Sequence, residues 1–128
     1  MQKLFYFIFI LLLLSSTAFA TQASSLNEAL QLAKTDNKKV VLFFTASWCG
    51  PCRMLKANTI ANPDVQIKLQ KFHYVVLDVD VDTKNSKRYK INSMPTIVIV
   101  DKDEKIYSRQ VGFVAASDFT VILNAFDK

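Results

Sequence analysis

Three apolar runs constrain the fold of this chain more than any other feature: "KVVLFFTA" at 39–46, "FHYVVLDVD" at 72–80 and "TIVIV" at 96–100. They are rich in β-branched and aromatic residues, and "VVLFF" and "TIVIV" lack the polar alternation of a strand with one wet face. Such runs fit strands covered on both sides. Helical patterns lie between them. Ser25 and Glu28 have the spacing of a capping box, and Leu26, Ala29, Leu30, Leu32 and Ala33 follow at helical intervals. A second helix is expected from Gly50 to about Ala61, where Pro51 is tolerable in a first turn because its missing N–H would have had no partner there. Asn62 and Pro63 open a third in "NPDVQIKLQ", a polar helical stretch runs from about Asp82 to Lys90, and a closing helix runs from about Ser117 to Phe126. "TIVIVDKDEKIYSRQVG" reads as an antiparallel hairpin turning at Lys102 to Glu104. The expected class is α/β: a mixed central sheet of about four strands flanked by helices, without internal repeats.

The chain opens "MQKLFYFIFILLLLSSTAFATQ": Lys3, an unbroken apolar run from Leu4 to Leu14, then small residues ending in Ala18-Phe19-Ala20. This is the layout of a secretory signal peptide cut between Ala20 and Thr21. The run of eleven residues falls short of the roughly 20 that a membrane-crossing helix needs. The expectation is a signal peptide over 1–20, one domain over 21–128, and a periplasmic or secreted product. A domain of that size builds one core. The net charge is +5, yet the charges are interspersed, as in "DKDEK" and "DTKNSKRYK", without a long basic block or interleaved aromatics. That pattern argues against nucleic acid as a partner.

The only two cysteines, Cys49 and Cys52, lie in "SWCGPC" just after the first strand and at the mouth of a helix. As a structural staple the pair is weak, since closing a loop of about four residues contributes roughly 2 kcal/mol against about 3 for fifteen. A structural zinc site needs four ligands, and His73 is the only histidine. A copper(I) site could recruit the thioethers of Met54 or Met94, and this remains a minor alternative. The redox reading uses every local feature. The free N–H groups and positive dipole end at a helix N-terminus favour a thiolate at Cys49, which would attack a substrate disulfide. One turn on, Cys52 is on the same helix face, deeper and less accessible, and would resolve the mixed disulfide. Nucleophilicity falls along with thiol pKa, with a slope of about 0.4–0.5, so the gain in attack rate is small. The larger effect is on redox poise, because a stabilised thiolate is also the better leaving group.

"WCGPC" after a buried strand and opening a helix resembles the thioredoxin superfamily, and Trp48 with Gly50-Pro51 makes the match more specific than the cysteine spacing alone. "SMPT", Ser93 to Thr96, lies where that family carries a cis-proline beside the cysteines. Pro95 is then its counterpart, and Met94 the residue whose backbone would pair with a bound substrate strand. "QVGF" maps the glycine after the last strand onto Gly112. The resemblance runs from about Ser25 to Phe126. It implies a thioredoxin fold and a thiol–disulfide oxidoreductase cycling a Cys49–Cys52 disulfide without an organic cofactor or metal. Its partners would be protein disulfides and dithiols, with a membrane-embedded thiol reductase as electron donor. Trp48 would form part of the docking surface. An oxidant or isomerase, a copper(I) carrier and a chaperone-like binding module are the rival readings. Thioredoxin proper usually has a buried acid six residues before the first cysteine and a lysine near it on the next strand, where Phe43 and Val76 stand here. A dry core under Cys52 is the expectation that follows, raising the Cys52 pKa.

Overall fold

The computed structural model describes residues 20–128, so the expected signal peptide lies outside the described residues except for Ala20. The elements are β1 (Gln22–Ala23), α1 (Leu26–Asp36), β2 (Val40–Thr45), α2 (Gly50–Leu55), α3 (Pro63–Leu69), β3 (His73–Asp78), α4 (Thr83–Arg88), β4 (Thr96–Val100), β5 (Ile106–Val111) and α5 (Ala116–Phe126). A π-helical turn, Lys56–Ile60, continues α2. The strands form one mixed sheet in the order β1-β3-β2-β4-β5. Both β1 and β2 run parallel to β3, whereas β4 is antiparallel to β2 and β5 to β4. Parallel neighbours need a long crossover and antiparallel ones only a tight turn. Accordingly α2 and α3 carry the chain from β2 to β3, and a short charged turn joins β4 to β5.

Alternation along the strands sends side chains to two separate cores. Val41, Phe43, Tyr74, Ile97 and Ile99 pack with Leu55, Val65, Leu69, Phe119 and Leu123 from α2, α3 and α5. Val40, Leu42, Phe44, Val75, Leu77, Val98 and Val100 pack on the other side with Leu26, Ala29 and Ala33 of α1 and with Tyr89. With helices on both faces, no position from Val40 to Phe44 is more than 1 % exposed. That double cover is why "VVLFF" carries no polar alternation.

Four details differ from the sequence expectations. The sheet has five strands rather than four, because Gln22–Ala23 adds a two-residue strand to the outer edge of β3. So short an element has no periodicity to read. The helix expected to run through Ala61 ends as α at Leu55, and the Ala61 N–H reaches back five residues to the Lys56 carbonyl at 3.0 Å. This wider turn carries Thr59 and Ile60 into the core. The capping box is half made: the Ser25 hydroxyl accepts the Glu28 N–H at 3.1 Å, but the Glu28 carboxylate accepts from the Ser24 N–H and hydroxyl. Last, α4 is shorter than its polar pattern, because Asp82 caps it and Lys90 takes a left-handed φ of 54°.

Candidate active site

Each part of the site is held by a different element. Cys49 is the N-cap of α2, its Sγ accepting the Cys52 N–H at 3.2 Å, and Pro51 occupies the first turn. Cys49 and Cys52 are joined in a disulfide with their Cα atoms 5.3 Å apart, which the three-residue step of one helical turn makes reachable. The sequence expected Cys52 to be the deeper, less accessible thiol. In the disulfide the two differ little, at 4 % and 2 % exposure. Arg53 pins the loop ahead of the pair by donating from Nη1 to the Ser47 carbonyl at 3.1 Å.

Trp48 is 65 % exposed beside the disulfide. Its Nε1 donates to Asp80 Oδ2 at 2.8 Å, while Asp78 Oδ1 accepts the Asp80 N–H at 2.9 Å. An exposed indole tethered by a carboxylate presents a fixed apolar face. The Asp80 tether escaped the sequence reading, although the alternating acids of "DVDVD" at the end of β3 were the signal for it.

The Met94–Pro95 peptide bond is cis, as the resemblance implied. Met94 packs against the cluster that contains both cysteines. The Gly112 N–H donates to the Pro95 carbonyl at 2.8 Å, and Gly112 has φ 87°, the left-handed region that favours glycine. The structure thus joins Cys49 to Cys52, packs Met94 against the cluster that holds them, and ties Gly112 to Pro95. Of the two methionines that the copper reading invoked, Met94 packs against the cluster that contains the cysteines and Met54 is 55 % exposed. Two residues beyond Cys52, Met54 points to the far side of the helix. Among the described residues no three His, Cys, Asp or Glu side chains gather as metal ligands.

Phe43 and Val76 pair across β2 and β3, in the places expected to hold an acid and its partner. Cys52 is 2 % exposed and packs in the same buried cluster as Phe43. A cleft of about 190 Å³ reaches Cys52, lined by Phe43 and Val76 but also by Thr45, Arg53, Lys56 and Asp78. Charged groups thus line the same cleft as Phe43 and Val76.

Residues 26–127 match the thioredoxin-like domain family. The chain is 37 % identical over 93 residues to a thioredoxin of Mycoplasmoides gallisepticum, covering 73 % of this chain and 88 % of that one. It is 32 % identical over 110 residues to the thiol:disulfide interchange protein DsbD 2 of Pseudomonas aeruginosa, covering 80 % of this chain and 19 % of that one. The DsbD C-terminal domain of Neisseria meningitidis, in the reduced form, superimposes with a TM-score of 0.68 at 26 % identity, covering 79 % of this chain and 93 % of that one. The chain spans less than two thirds of the length of several curated relatives, 53 % for one plant thioredoxin. The chain belongs to the thioredoxin-like family. Its fold, and a cysteine pair closed as a disulfide at a helix mouth, are those of a thioredoxin-like thiol–disulfide oxidoreductase.

Proposed function

We propose that the protein is exported and reduces disulfides in other exported proteins, fed with electrons by a membrane-embedded thiol reductase. The observation that carries the chemistry is the Cys49–Cys52 disulfide at the start of α2, in the cluster against which Met94 packs. In the reducing cycle the Cys49 thiolate attacks one sulfur of a substrate disulfide, and the other substrate sulfur leaves as a thiolate that takes up a proton. Cys52 then loses its proton and attacks Cys49 Sγ, releasing the second substrate thiolate. Two electrons and two protons pass to the substrate, and the Cys49–Cys52 disulfide remains for the donor to reduce. Cys52 needs a route for its proton, and the cleft that reaches it is lined in part by Arg53, Lys56 and Asp78.

Support for the reducing direction comes from Gly50-Pro51 between the cysteines, which resembles the reducing branch of the family, while the match along 80 % of this chain to part of a protein named for thiol–disulfide interchange supports the exchange chemistry itself. Export rests on the N-terminal pattern around Ala18-Phe19-Ala20. Two measurements test this reading. N-terminal sequencing of protein recovered from a host's exported fraction is expected to begin at Thr21, and retention of Met1 in a cytoplasmic fraction would refute export. The reduction potential is expected near the roughly −270 mV of thioredoxin, whereas a value near about −120 mV would mark an oxidant.

A further inference from the structure

Resolution requires the Cys52 thiol to give up a proton from a place that bulk water scarcely reaches, since Cys52 is 2 % exposed. An ordinary thiol is only a few per cent ionised at neutral pH, so the step needs a base. Among the residues that line the cleft at Cys52, Asp78 is the only carboxylate. We propose that Asp78 takes the Cys52 proton in the resolving step, through water held in that cleft, with Lys56 offsetting the charge that develops on the sulfur. This role rests on the reading of Cys52 as the resolving thiol of a disulfide reductase and deepens it.

The strand register puts Asp78 on the face of the sheet where the cysteines pack. Val41 and Phe43 of β2 and Tyr74 and Val76 of β3 point to that side, in the cluster with Cys49 and Cys52. Thr45 and Asp78 come next in those two series and pair with each other, two residues beyond the Phe43–Val76 pair. The cleft lining agrees, taking in Phe43, Thr45, Val76 and Asp78 together with Cys52. Lys56 follows Cys52 by four residues, so it lies one turn on along the same helix face.

The carboxylate is held in place yet keeps an open oxygen. Asp78 Oδ1 accepts the Asp80 N–H at 2.9 Å, while Oδ2 has no hydrogen-bond partner among the described residues. The charged groups of the cleft are Asp78 from β3 and Arg53 and Lys56 from α2 and its continuation; β2 and the loop after it add only neutral side chains. Arg53 is directed to the Ser47 carbonyl, and Lys56 makes no ion pair among the described residues. At about 190 Å³ the cleft exceeds the roughly 10–15 Å³ that one water needs. In the step itself the proton passes from Cys52 Sγ through water to the Asp78 carboxylate and on to solvent. The sulfur electron pair forms the bond to Cys49 Sγ, the bond between Cys49 and the substrate sulfur breaks, and its electron pair leaves with the substrate thiolate.

The test mixes the reduced protein with a peptide disulfide, quenches with acid at successive times, and counts by mass spectrometry the Cys49 mixed disulfide and the closed Cys49–Cys52 form. This separates bimolecular attack from first-order resolution. Asp78→Asn keeps an oxygen for the Asp80 N–H and removes the base. It is expected to slow resolution about 10- to 100-fold at pH 6 to 7, at the foot of the range for general bases because the group acts through water, and to leave attack by Cys49 within about 2-fold. The deficit should shrink as pH rises and hydroxide takes the proton instead, and Asp78→Glu should restore part of the rate. Lys56→Gln is expected to slow resolution less, about 2- to 5-fold, because the lysine is exposed; an unchanged rate there overturns the part given to Lys56. Resolution by Asp78→Asn that is within about 2-fold of wild type at pH 6, faster than wild type, or slowed by the same factor at every pH overturns the role of Asp78 while the reductase reading stands. A wild type that forms neither a Cys49 adduct nor the closed disulfide overturns both.

Discussion

Exchanging each glycine for alanine in the oxidised protein should shift stability in opposite directions. Gly112 has φ 87°, and a Cβ there would meet no atom within 4 Å. The whole cost is then backbone strain, about 1–2 kcal/mol for a β-carbon in the left-handed region. For a domain near 100 residues, where 1 kcal/mol moves Tm by about 4–8 °C, that is a fall of roughly 4–16 °C. Gly50 is the first residue of α2, and a Cβ there would lie 3.8 Å from Arg53 Nη2, an ordinary contact. Alanine at Gly50 should therefore stabilise by about 0.4–1 kcal/mol, through the narrower unfolded ensemble. Urea titration of wild type, Gly112→Ala and Gly50→Ala, with equal m-values, measures both differences. The reasoning fails if Gly112→Ala costs under about 0.5 kcal/mol. It fails equally if both variants lose the same stability, because a shared loss would mean that residue type, not backbone geometry, decides.

Two further perturbations test the interior and the acid limb. Thr59 is fully buried, and its hydroxyl donates to the Val114 carbonyl at 2.5 Å, tying the π-helical turn to the segment before α5. Thr59→Val keeps the shape and orphans that carbonyl, so urea unfolding should show a loss of about 1–3 kcal/mol, and a change under about 0.5 would show that the bond contributes nothing net. At Asp36, desolvation pushes the carboxyl up, but the hydrogen bonds from His73 and the Lys38 N–H, with the charges of both, outweigh it and hold the pKa below the ordinary carboxylate value. A depressed carboxyl stabilises the fold above its unfolded pKa and loses that contribution as pH falls through the folded one. Asp36→Asn should thus be less stable than wild type at pH 7, with the two converging as the pH falls below the folded-state pKa. A gap that persists at low pH would refute the linkage.

Much of the fold was legible because its signals are periodic and strong. The double cover of β2 left an apolar run that only a strand between helix layers explains, and Asn62 with Pro63 marked the start of α3 as the structure has it. What escaped had either too little sequence or a tertiary cause. β1 is two residues long, and the π-helical turn follows from the side to which Thr59 and Ile60 must face. The site was legible where motif residues carry it, from Trp48 through Cys52 and at Pro95 and Gly112. It was illegible where groups distant in sequence converge. Phe43 and Val76 suggested a dry space, but Lys56 and Asp78 reach the same cleft from α2's continuation and the end of β3.

The central claim is that Cys49 attacks and Cys52 resolves, and the most direct measurement is trapping with single-cysteine variants. Cys52→Ser, incubated with an oxidised disulfide protein and resolved by mass spectrometry, should accumulate a covalent adduct linked through Cys49, while Cys49→Ser should give little adduct and no insulin reduction. Adducts formed chiefly by Cys49→Ser, or full insulin reduction by that variant, would contradict the account.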